Sequence, residues 1–401
     1  MNIISRKTRL DIATSAGFML VATSMIIVAI CLPEISATFS TGYSEGGGME
    51  TAKSAVILVV LLLAGILAQR WGKKRFLTLG QYFIAGGLLL GSFAPNYATL
   101  ILAVMMTGVG GGFSEALLNP LIVDIHPRQS GKYLNLSHAF YPIGIMSSAL
   151  LFGELLTRGY SWRFIFQIAA AGALLVAIYT TVLRFPPSEK DDSSYPKLFG
   201  SILRMWGFWL FAAAIFLAAG IEAALSFWTR SYVETYLSDV PRTGAVAVVI
   251  FAASMAFGRF LTAYLSNKIS LNSIMIGSAV LGIGVSILIP LATSLIWFYG
   301  LVGLAGLAVA CFWPTILAEA DNFLPVNTTI LMVLLGSIGI IGFGLTPLIM
   351  GLIGDSAELR AGFILIPLFF TGLIGILVYE RILINRSAKE PVPVKTESPV
   401  L

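Results

Sequence analysis

The sequence predicts an all-α polytopic membrane protein with twelve transmembrane helices in two pseudo-symmetric six-helix bundles. The chain is 57% hydrophobic and only 11% charged, and its mean hydropathy is +0.89, whereas soluble proteins are about 25% charged. Long apolar runs recur along the 401 residues, and each crossing needs about 20 such residues. A polar, proline-bearing stretch separates the runs near the middle of the chain. Strands of alternating polarity, the mark of a transmembrane barrel, are absent from the sequence.

The apolar runs give six predicted spans on each side of the central polar stretch. The first six are 12–32, 53–69, 76–93, 98–122, 133–157 and 162–184. The second six are 205–230, 243–265, 271–290, 295–317, 328–353 and 361–384. Two similar halves joined by a polar loop are typical of transporters built from repeats. We therefore expect an N-terminal bundle at 1–184, a cytoplasmic linker at 185–204, a C-terminal bundle at 205–385 and a disordered cytoplasmic tail at 386–401.

The distribution of Lys and Arg predicts the orientation of the chain. With the N-terminus inside, most of the 25 Lys and Arg residues fall in loops on the cytoplasmic face. The opposite face keeps Lys53, Arg158, Arg163, Arg230, Arg242 and Arg360. Cytoplasmic loops of membrane proteins are enriched in these residues. We therefore expect an even number of spans, both termini in the cytoplasm and a multi-pass protein of the cell inner membrane.

The sequence lacks the signals that mark several other classes of protein. Cys31 and Cys311 lie in apolar segments, and the two histidines, His126 and His138, have no metal-ligand spacing around them. The sequence contains no phosphate-binding glycine loop, so it gives no indication of transport driven by ATP. The net charge of +5 is attributed to membrane topology rather than to nucleic-acid binding. We expect no enzymatic activity, no cofactor and no metal.

Polar residues within two neighbouring spans are the strongest functional signal. Glu115 and Asn119 lie four residues apart in span 4, so they share a helix face. Asn135 and His138, three apart in span 5, also share a face, and Tyr141 follows them. A rise of about 1.5 Å per residue places Glu115 and His138 at similar depths. Because ionisable residues inside membranes are usually functional, we expect this helix pair to bind a polar solute, with Glu115 and His138 handling a proton. The alternative to a functional role is a structural hydrogen bond between helices for Glu115 and simple packing for His138.

The second half adds three candidate solute contacts. Glu222 is another intramembrane acid, for which a hydrogen bond between helices is the alternative role. The rings of Trp228 and Trp313 offer flat apolar surfaces on which the C–H face of a sugar can stack. For Trp228, membership of an interfacial aromatic belt explains the sequence equally well.

The segment between spans 2 and 3 reads G-I-L-A-Q-R-W-G-K-K-R over residues 65–75. It resembles the signature loop of the major facilitator superfamily, which occupies the same place in that fold. The resemblance implies a conformational hinge formed by Gly65, Gln69, Arg70, Gly72, Lys73 and Lys74. Gln69 stands where the superfamily usually has an acid.

Two further stretches are similar to the fucose–galactose–gluconate:proton symporter family of that superfamily. E-A-L-L-N-P at 115–120 precedes L-N-L-S-H-A-F-Y-P-I-G at 134–144. The resemblance implies that Glu115 handles proton and sugar and that His138 contributes to sugar binding. The fucose transporters have an acid in span 1, four residues before its closing proline. Ala29 occupies that position here, so Glu115 would have to couple without that partner.

The sequence thus predicts a secondary transporter that imports a small polar solute, by preference a monosaccharide, by alternating access with proton symport. The expected partners are the solute, a proton and the lipid bilayer, and the chain is expected to act as a monomer. Sugar uniport and the efflux of drugs or metabolites are alternatives within transport, although span 5 lacks the glycine–proline order of antiporters. Outside transport, the alternative is a membrane sensor that binds a ligand without moving it.

Overall fold

The computed structural model describes residues 6–128, 130–185, 200–326 and 328–387, and the regular elements in this part of the chain are helices. The first half contains α1 (Arg6–Phe39), α2 (Tyr43–Trp71), α3 (Lys73–Ser92), α4 (Tyr97–Ile125), α5 (Ser130–His138), α6 (Phe140–Thr157) and α7 (Trp162–Val182). The second half contains α8 (Trp206–Tyr236), α9 (Pro241–Leu265), α10 (Leu271–Leu288), α11 (Leu295–Val309), α12 (Phe312–Phe323), α13 (Thr328–Ala357), α14 (Leu359–Gly362) and α15 (Leu365–Ser387). A short 3-10 helix, Ile289–Leu291, follows α10.

In the described part of the chain the helices form twelve crossings, in which α5 with α6 and α11 with α12 each count as one. Within the described ranges, eleven crossings are long and apolar enough to span a membrane. The twelfth is α3, whose start is basic. α4 residues 108–112 pack in the same order against α2 residues 53–60, so α2 and α4 are parallel and α3 must run back between their ends. Its 20 residues extend about 30 Å, which confirms the predicted all-α polytopic fold.

The two halves are joined at one end of the bundle. We call the end with the start of α1 and the α2–α3 turn the termini end, and the end with the α1–α2 turn the far end. The halves meet where α2 packs on α13, α6 on α9 and α1 on α8. The Thr51 hydroxyl donates to the carbonyl oxygen of Gly344 at 2.7 Å, and Gly153 packs closely on Ala245. These contacts lie in the far-end half of each helix, so they seal the bundle at the far end.

The helix α2 starts ten residues before the predicted span. The segment Y-S-E-G-G-G-M-E-T at 43–51 is helical because its glycines let α13 approach. A Cβ atom on Gly47 would stand 2.3 Å from the carbonyl oxygen of Pro347. The Asp355 carboxylate of α13 also accepts hydrogen bonds from the backbone N–H groups of Tyr43 and Ser44, at 2.7 and 2.9 Å. It therefore satisfies two of the N–H groups that a helix start leaves unpaired.

The packing corrects the predicted positions of two basic residues, Lys53 and Arg230, which were expected on the face opposite the termini. Lys53 lies well inside α2 and is 1% exposed, and Arg230 is fully buried near the end of α8. Neither is a loop charge, because each is paired with acidic side chains inside the bundle. The predicted linker, 185–204, and tail, 386–401, fall mostly outside the described residues, so the domain boundaries stay a prediction.

Gly47→Ala is expected to weaken the contact between α2 and α13. The added Cβ would meet the Pro347 carbonyl oxygen at 2.3 Å, and a backbone atom cannot rotate away. Overpacking of this kind costs about 1–3 kcal/mol, which the two helices relieve by separating at the far end. Gly48→Ala is the matched control, since its Cβ would meet only the Tyr97 hydroxyl, at 3.9 Å.

Spin labels at Tyr160 and Asp239 measure this opening, because both residues are exposed in far-end turns of opposite halves. We expect Gly47→Ala to populate longer distances between the labels and Gly48→Ala to keep the distribution of the unsubstituted protein. Identical distributions for the two variants would show that the α2–α13 contact is not tight.

Candidate functional site in the central cavity

A cavity lies between the two halves. Its polar lining consists of Glu50, Tyr141, Glu222 and Ser226. Its apolar lining consists of Met25, Ile26, Ala29, Ile145, Phe227, Val248, Phe251, Ala252, Met255 and Phe343. Sites for small molecules commonly combine apolar walls with a few polar groups. Both halves therefore contribute to a site with the kind of lining that a small organic solute requires.

The polar residues predicted in α4 and α5 lie on the termini side of this cavity. Glu115 and His138 are exposed although both are in membrane-spanning segments. Glu115 also interacts electrostatically with Tyr141, which lines the cavity. The seal lies at the far end, so these two exposed residues lie on the unsealed side of the cavity.

The structure brings His138 and Asn119 together. The His138 Nε2 atom lies 2.8 Å from the Asn119 Oδ1 atom, and the imidazole packs on the Phe18 ring with a centroid separation of 4.6 Å. An amide oxygen only accepts hydrogen bonds, so Nε2 must donate in this arrangement. In a neutral ring, Nδ1 is then left as an acceptor for a ligand hydroxyl. In this state the partner of His138 is therefore Asn119, and Glu115 lies apart from that hydrogen bond.

Tyr141 and Glu222 face the cavity from opposite halves. Tyr141 is the second residue of α6, directly after the break that separates α5 from α6 at Ala139. Glu222 is in the middle of α8, and the Ser226 hydroxyl one turn later donates to its backbone carbonyl at 2.7 Å. These two predicted contacts can thus touch the same solute. The side chain of Asn135 lies outside the described part of the chain.

Trp228 and Trp313, the two aromatic residues predicted to stack on a sugar, have different positions. Trp228 is fully buried, its Nε1 donates to the Pro347 carbonyl at 3.2 Å, and its ring packs on Tyr43. It belongs to the far-end seal, so it is not available to a solute in this state. Trp313 is half-buried and packs so closely on α13 that a Cβ on Gly339 would meet its ring at 2.5 Å.

A buried ion pair in α2 was not predicted as part of the site. The Lys53 Nζ atom lies 2.6 Å from Glu50 Oε2, and each side chain is 1% exposed. Lys53 also donates to the Met25 carbonyl at 3.3 Å. Among the described residues, Glu50 Oε1 has no hydrogen-bond partner. Glu50 and Ala29 line the same cavity, so α2 supplies an acid close to where α1 lacks one.

The predicted hinge loop is held by its own half. Gly72 ends α2 and precedes α3 with a φ of 93°, a backbone conformation that glycine adopts without strain. The Lys73 Nζ pairs with the Asp124 carboxylate at 2.9 Å, and Lys74 Nζ donates to the Thr181 carbonyl at 2.8 Å. These bonds tie the α2–α3 turn to the ends of α4 and α7. The side chains at positions 69 and 70 lie outside the described part, and the hinge role stays a prediction.

Known proteins with similar sequences are membrane proteins and transporters. The membrane protein MosC of Rhizobium meliloti is 22% identical over 91% of this chain and 88% of its own length. Other relatives are described as a lincomycin resistance protein of Streptomyces lincolnensis, a probable 4-methylmuconolactone transporter of Cupriavidus pinatubonensis and a proton/hexose cotransporter of Parachlorella kessleri, at 24–26% identity. Because these descriptions name different solutes, they do not identify the solute of this chain.

Solved transporter structures share the fold. A bacterial homologue of the human lysosomal transporter Spinster, in an inward-facing and occupied conformation, matches with a TM-score of 0.80 and 16% identity, covering 96% of this chain and 98% of that one. The Escherichia coli fucose:proton symporter FucP matches with a TM-score of 0.66 and 18% identity, over 94% and 99% of the two chains. The family model of the Major Facilitator Superfamily matches residues 13–328. The chain therefore belongs to the Major Facilitator Superfamily of membrane transporters.

Proposed function

We propose that this transporter imports a small polar solute of monosaccharide size, with one carboxyl of the cavity, Glu115, carrying a proton in symport. The observation behind the proposal is the position of Glu115. It is an acid inside a membrane-spanning helix, its side chain is exposed, and it lies one turn before Asn119, which is hydrogen-bonded to His138. A carboxyl in such a place can exchange a proton with water while a solute occupies the neighbouring groups.

Alternating access requires that the cavity open to one side at a time. The far-end seal between α2 and α13, and between α6 and α9, supports an assignment of this state to one half of that cycle. We assign the termini end to the cytoplasm of a cell with this protein in its inner membrane, because most Lys and Arg residues lie in loops at that end. On this assignment the described state is the inward-facing one, and the site acts in a monomer.

The proposed solute contacts combine hydrogen bonding with apolar packing. Tyr141 offers a hydroxyl, and the Asn119–His138 pair offers a ring nitrogen acceptor, both to hydroxyl groups of a solute. Glu222 offers a carboxylate from the opposite half. The apolar wall of the cavity suits the C–H faces of a sugar ring, which lie against hydrocarbon without losing hydrogen bonds.

Export of an apolar drug or metabolite is the second candidate function. The observation that favours it is the lining of the deep part of the cavity, where aromatic and aliphatic residues outnumber the polar ones. Uniport is the second candidate for coupling, because Ala29 lines the cavity where the resemblance led us to expect an acid. Flux measured in both directions, with and without a proton gradient, separates these possibilities.

Glu115→Gln is expected to abolish proton-driven uptake while leaving the exchange of solute across the membrane by counterflow intact. The amide keeps the shape and hydrogen bonding of the side chain but cannot release a proton. The assay measures uptake of D-galactose, L-fucose and D-glucose into proteoliposomes with an inward-directed proton gradient. Uptake by the variant should fall about a hundredfold or more, the size of effect typical of a lost acid–base group. Counterflow of the same sugar without a gradient should persist.

The control for this experiment is Asp239→Asn, which removes an exposed acid from a turn outside the spans. It is expected to transport as the unsubstituted protein does. Unchanged gradient-driven uptake in Glu115→Gln would rule out the coupling role of Glu115, and loss of counterflow together with uptake would assign the residue to solute binding alone.

A further inference from the structure

Arg259 is a cation inside a membrane-spanning helix that has no anionic partner in the described part of the chain. It lies in α9, within the span Pro241–Leu265. Its Nε atom is buried without a hydrogen-bond partner, and its recorded side-chain contact is a weak one from Nη2 to the Met255 sulfur at 4.0 Å. No described carboxylate lies within the 4.0 Å of an ion pair. A guanidinium in such a place normally pairs with an anion or with backbone oxygens, or faces water in a cavity.

The helix geometry directs Arg259 toward the central cavity. Ala252 and Met255 line the cavity, and Arg259 follows them at spacings of seven and four residues, which place all three on one face of α9. Arg259 also interacts electrostatically with His138 and Tyr141 of the opposite half and with Glu222 of its own half. The guanidinium therefore extends the polar side of the same cavity.

The other basic group near the cavity is not free to bind a ligand. Lys53 is held 2.6 Å from Glu50, so its charge is already compensated. Arg259 has five N–H donors in a planar fork that matches a carboxylate. Glu222 lies on the cavity wall but beyond ion-pair distance, so a solute between the two residues can occupy the fork. Among the described side chains, Arg259 is thus the uncompensated cation of the cavity, and a ligand anion can pair with it.

We infer that Arg259 is the anion-binding residue of the cavity and that the solute is a small carboxylate bearing hydroxyl groups, a hydroxy acid of sugar size. This inference rests on the proposed function, because it names the substrate class of the same site. The carboxylate binds the guanidinium through two parallel N–H···O bonds. Its hydroxyl groups reach Tyr141 and the ring of His138, and its carbon chain packs on the apolar wall.

Matched pairs of ligands test the inference. The purified full-length protein is titrated in detergent with D-gluconate and D-glucose, with D-galacturonate and D-galactose, and with L-lactate and propane-1,2-diol. Binding is followed by the shift in melting temperature and by displacement of the radiolabelled acid. We expect at least one acid to bind at least tenfold tighter than its neutral partner. Arg259→Gln should remove that preference, and Arg259→Lys should keep part of it because it retains the charge without the fork.

Lys268→Gln is the matched control, since it removes an exposed positive charge from the turn that follows α9 and should leave binding unchanged. The inference is overturned if no acid of the panel binds better than its neutral partner, or if Arg259→Gln binds the acid as the unsubstituted protein does. Binding is measured without a proton gradient, so it is independent of coupling through Glu115. Neutral sugars that are taken up normally by Arg259→Gln would leave the transport proposal intact while removing the anion site.

Discussion

Lys53→Met is expected to leave little folded protein. The Lys53 ammonium lies 2.6 Å from the Glu50 carboxylate, and both side chains are 1% exposed. Methionine fills a similar volume but leaves Glu50 as a buried, uncompensated charge. Removing one partner of a buried ion pair costs about 3–5 kcal/mol, a large share of the roughly 5–15 kcal/mol that stabilises a typical protein. The yield of monodisperse protein and its melting temperature in detergent should both fall sharply.

The double variant Glu50→Gln/Lys53→Met tests the cause of that loss. It removes both charges, and replacement of a buried pair by neutral groups is often close to neutral in stability. We expect the double variant to recover most of the melting temperature, and the exposed-site control Lys268→Met to melt as the unsubstituted protein does. A single variant as stable as the parent, or a double variant no better than the single one, would contradict this account.

The same double variant separates folding from transport. Glu50 lines the cavity with one carboxylate oxygen unpartnered among the described residues. If the double variant is stable but loses proton-driven uptake, an acid from α2 takes part in coupling at the place where α1 has only Ala29. If uptake persists, the pair acts in packing alone and Glu115 carries the proton without it.

The fold was predictable because the signals that specify it are local. Apolar runs of about 20 residues require helices, since a lipid environment leaves backbone groups no other partners. α3 could be predicted despite its basic start at Lys73, because the apolar runs before and after it leave room for one more crossing between them. The polar faces of α4 and α5 were likewise evident, since Asn119 and His138 stand out in apolar surroundings.

The contacts between helices were not predictable in the same way. Glycines at 46–48 have low helix propensity, so the start of α2 was assigned to a loop, and Glu50 and Lys53 were missed with it. Their spacing of three residues was the available signal. Arg259 was counted with the Lys and Arg residues of the cytoplasmic face, although its spacing of four residues from Met255 places it on the cavity face of α9. For Trp228, no local pattern distinguishes a ring that faces a solute from one that packs in the far-end seal.

Arg230→Met is expected to open the far end of the transporter. Arg230 is fully buried in α8, where its Nη2 lies 2.5 Å from Glu34 Oε1 of α1 and its Nε lies 2.5 Å from Glu234 Oε1. The residue thus joins the two halves and also separates two acids. Methionine would leave the acids facing each other without a cation, and disrupting a buried pair of this kind costs about 3–5 kcal/mol. Separation of α1 from α8 lets water reach both carboxylates and relieves most of this cost.

A change of that size would shift the balance strongly toward the state with an open far end, since about 5.5 kcal/mol takes a two-state equilibrium from 1:99 to 99:1. Distances between spin labels at Tyr160 and Asp239 should therefore lengthen, and gradient-driven uptake should fall because the state with a sealed far end becomes rare. Arg158→Met is the matched control. Arg158 is 67% exposed and pairs with Glu154 of its own half, and Glu154 keeps its second partner, Arg242 of the other half, when Arg158 is lost, so the loss should cost less than about 1 kcal/mol. If Arg230→Met keeps the parental distances, the seal depends on the α2–α13 and α6–α9 contacts, and the charge bridge is dispensable.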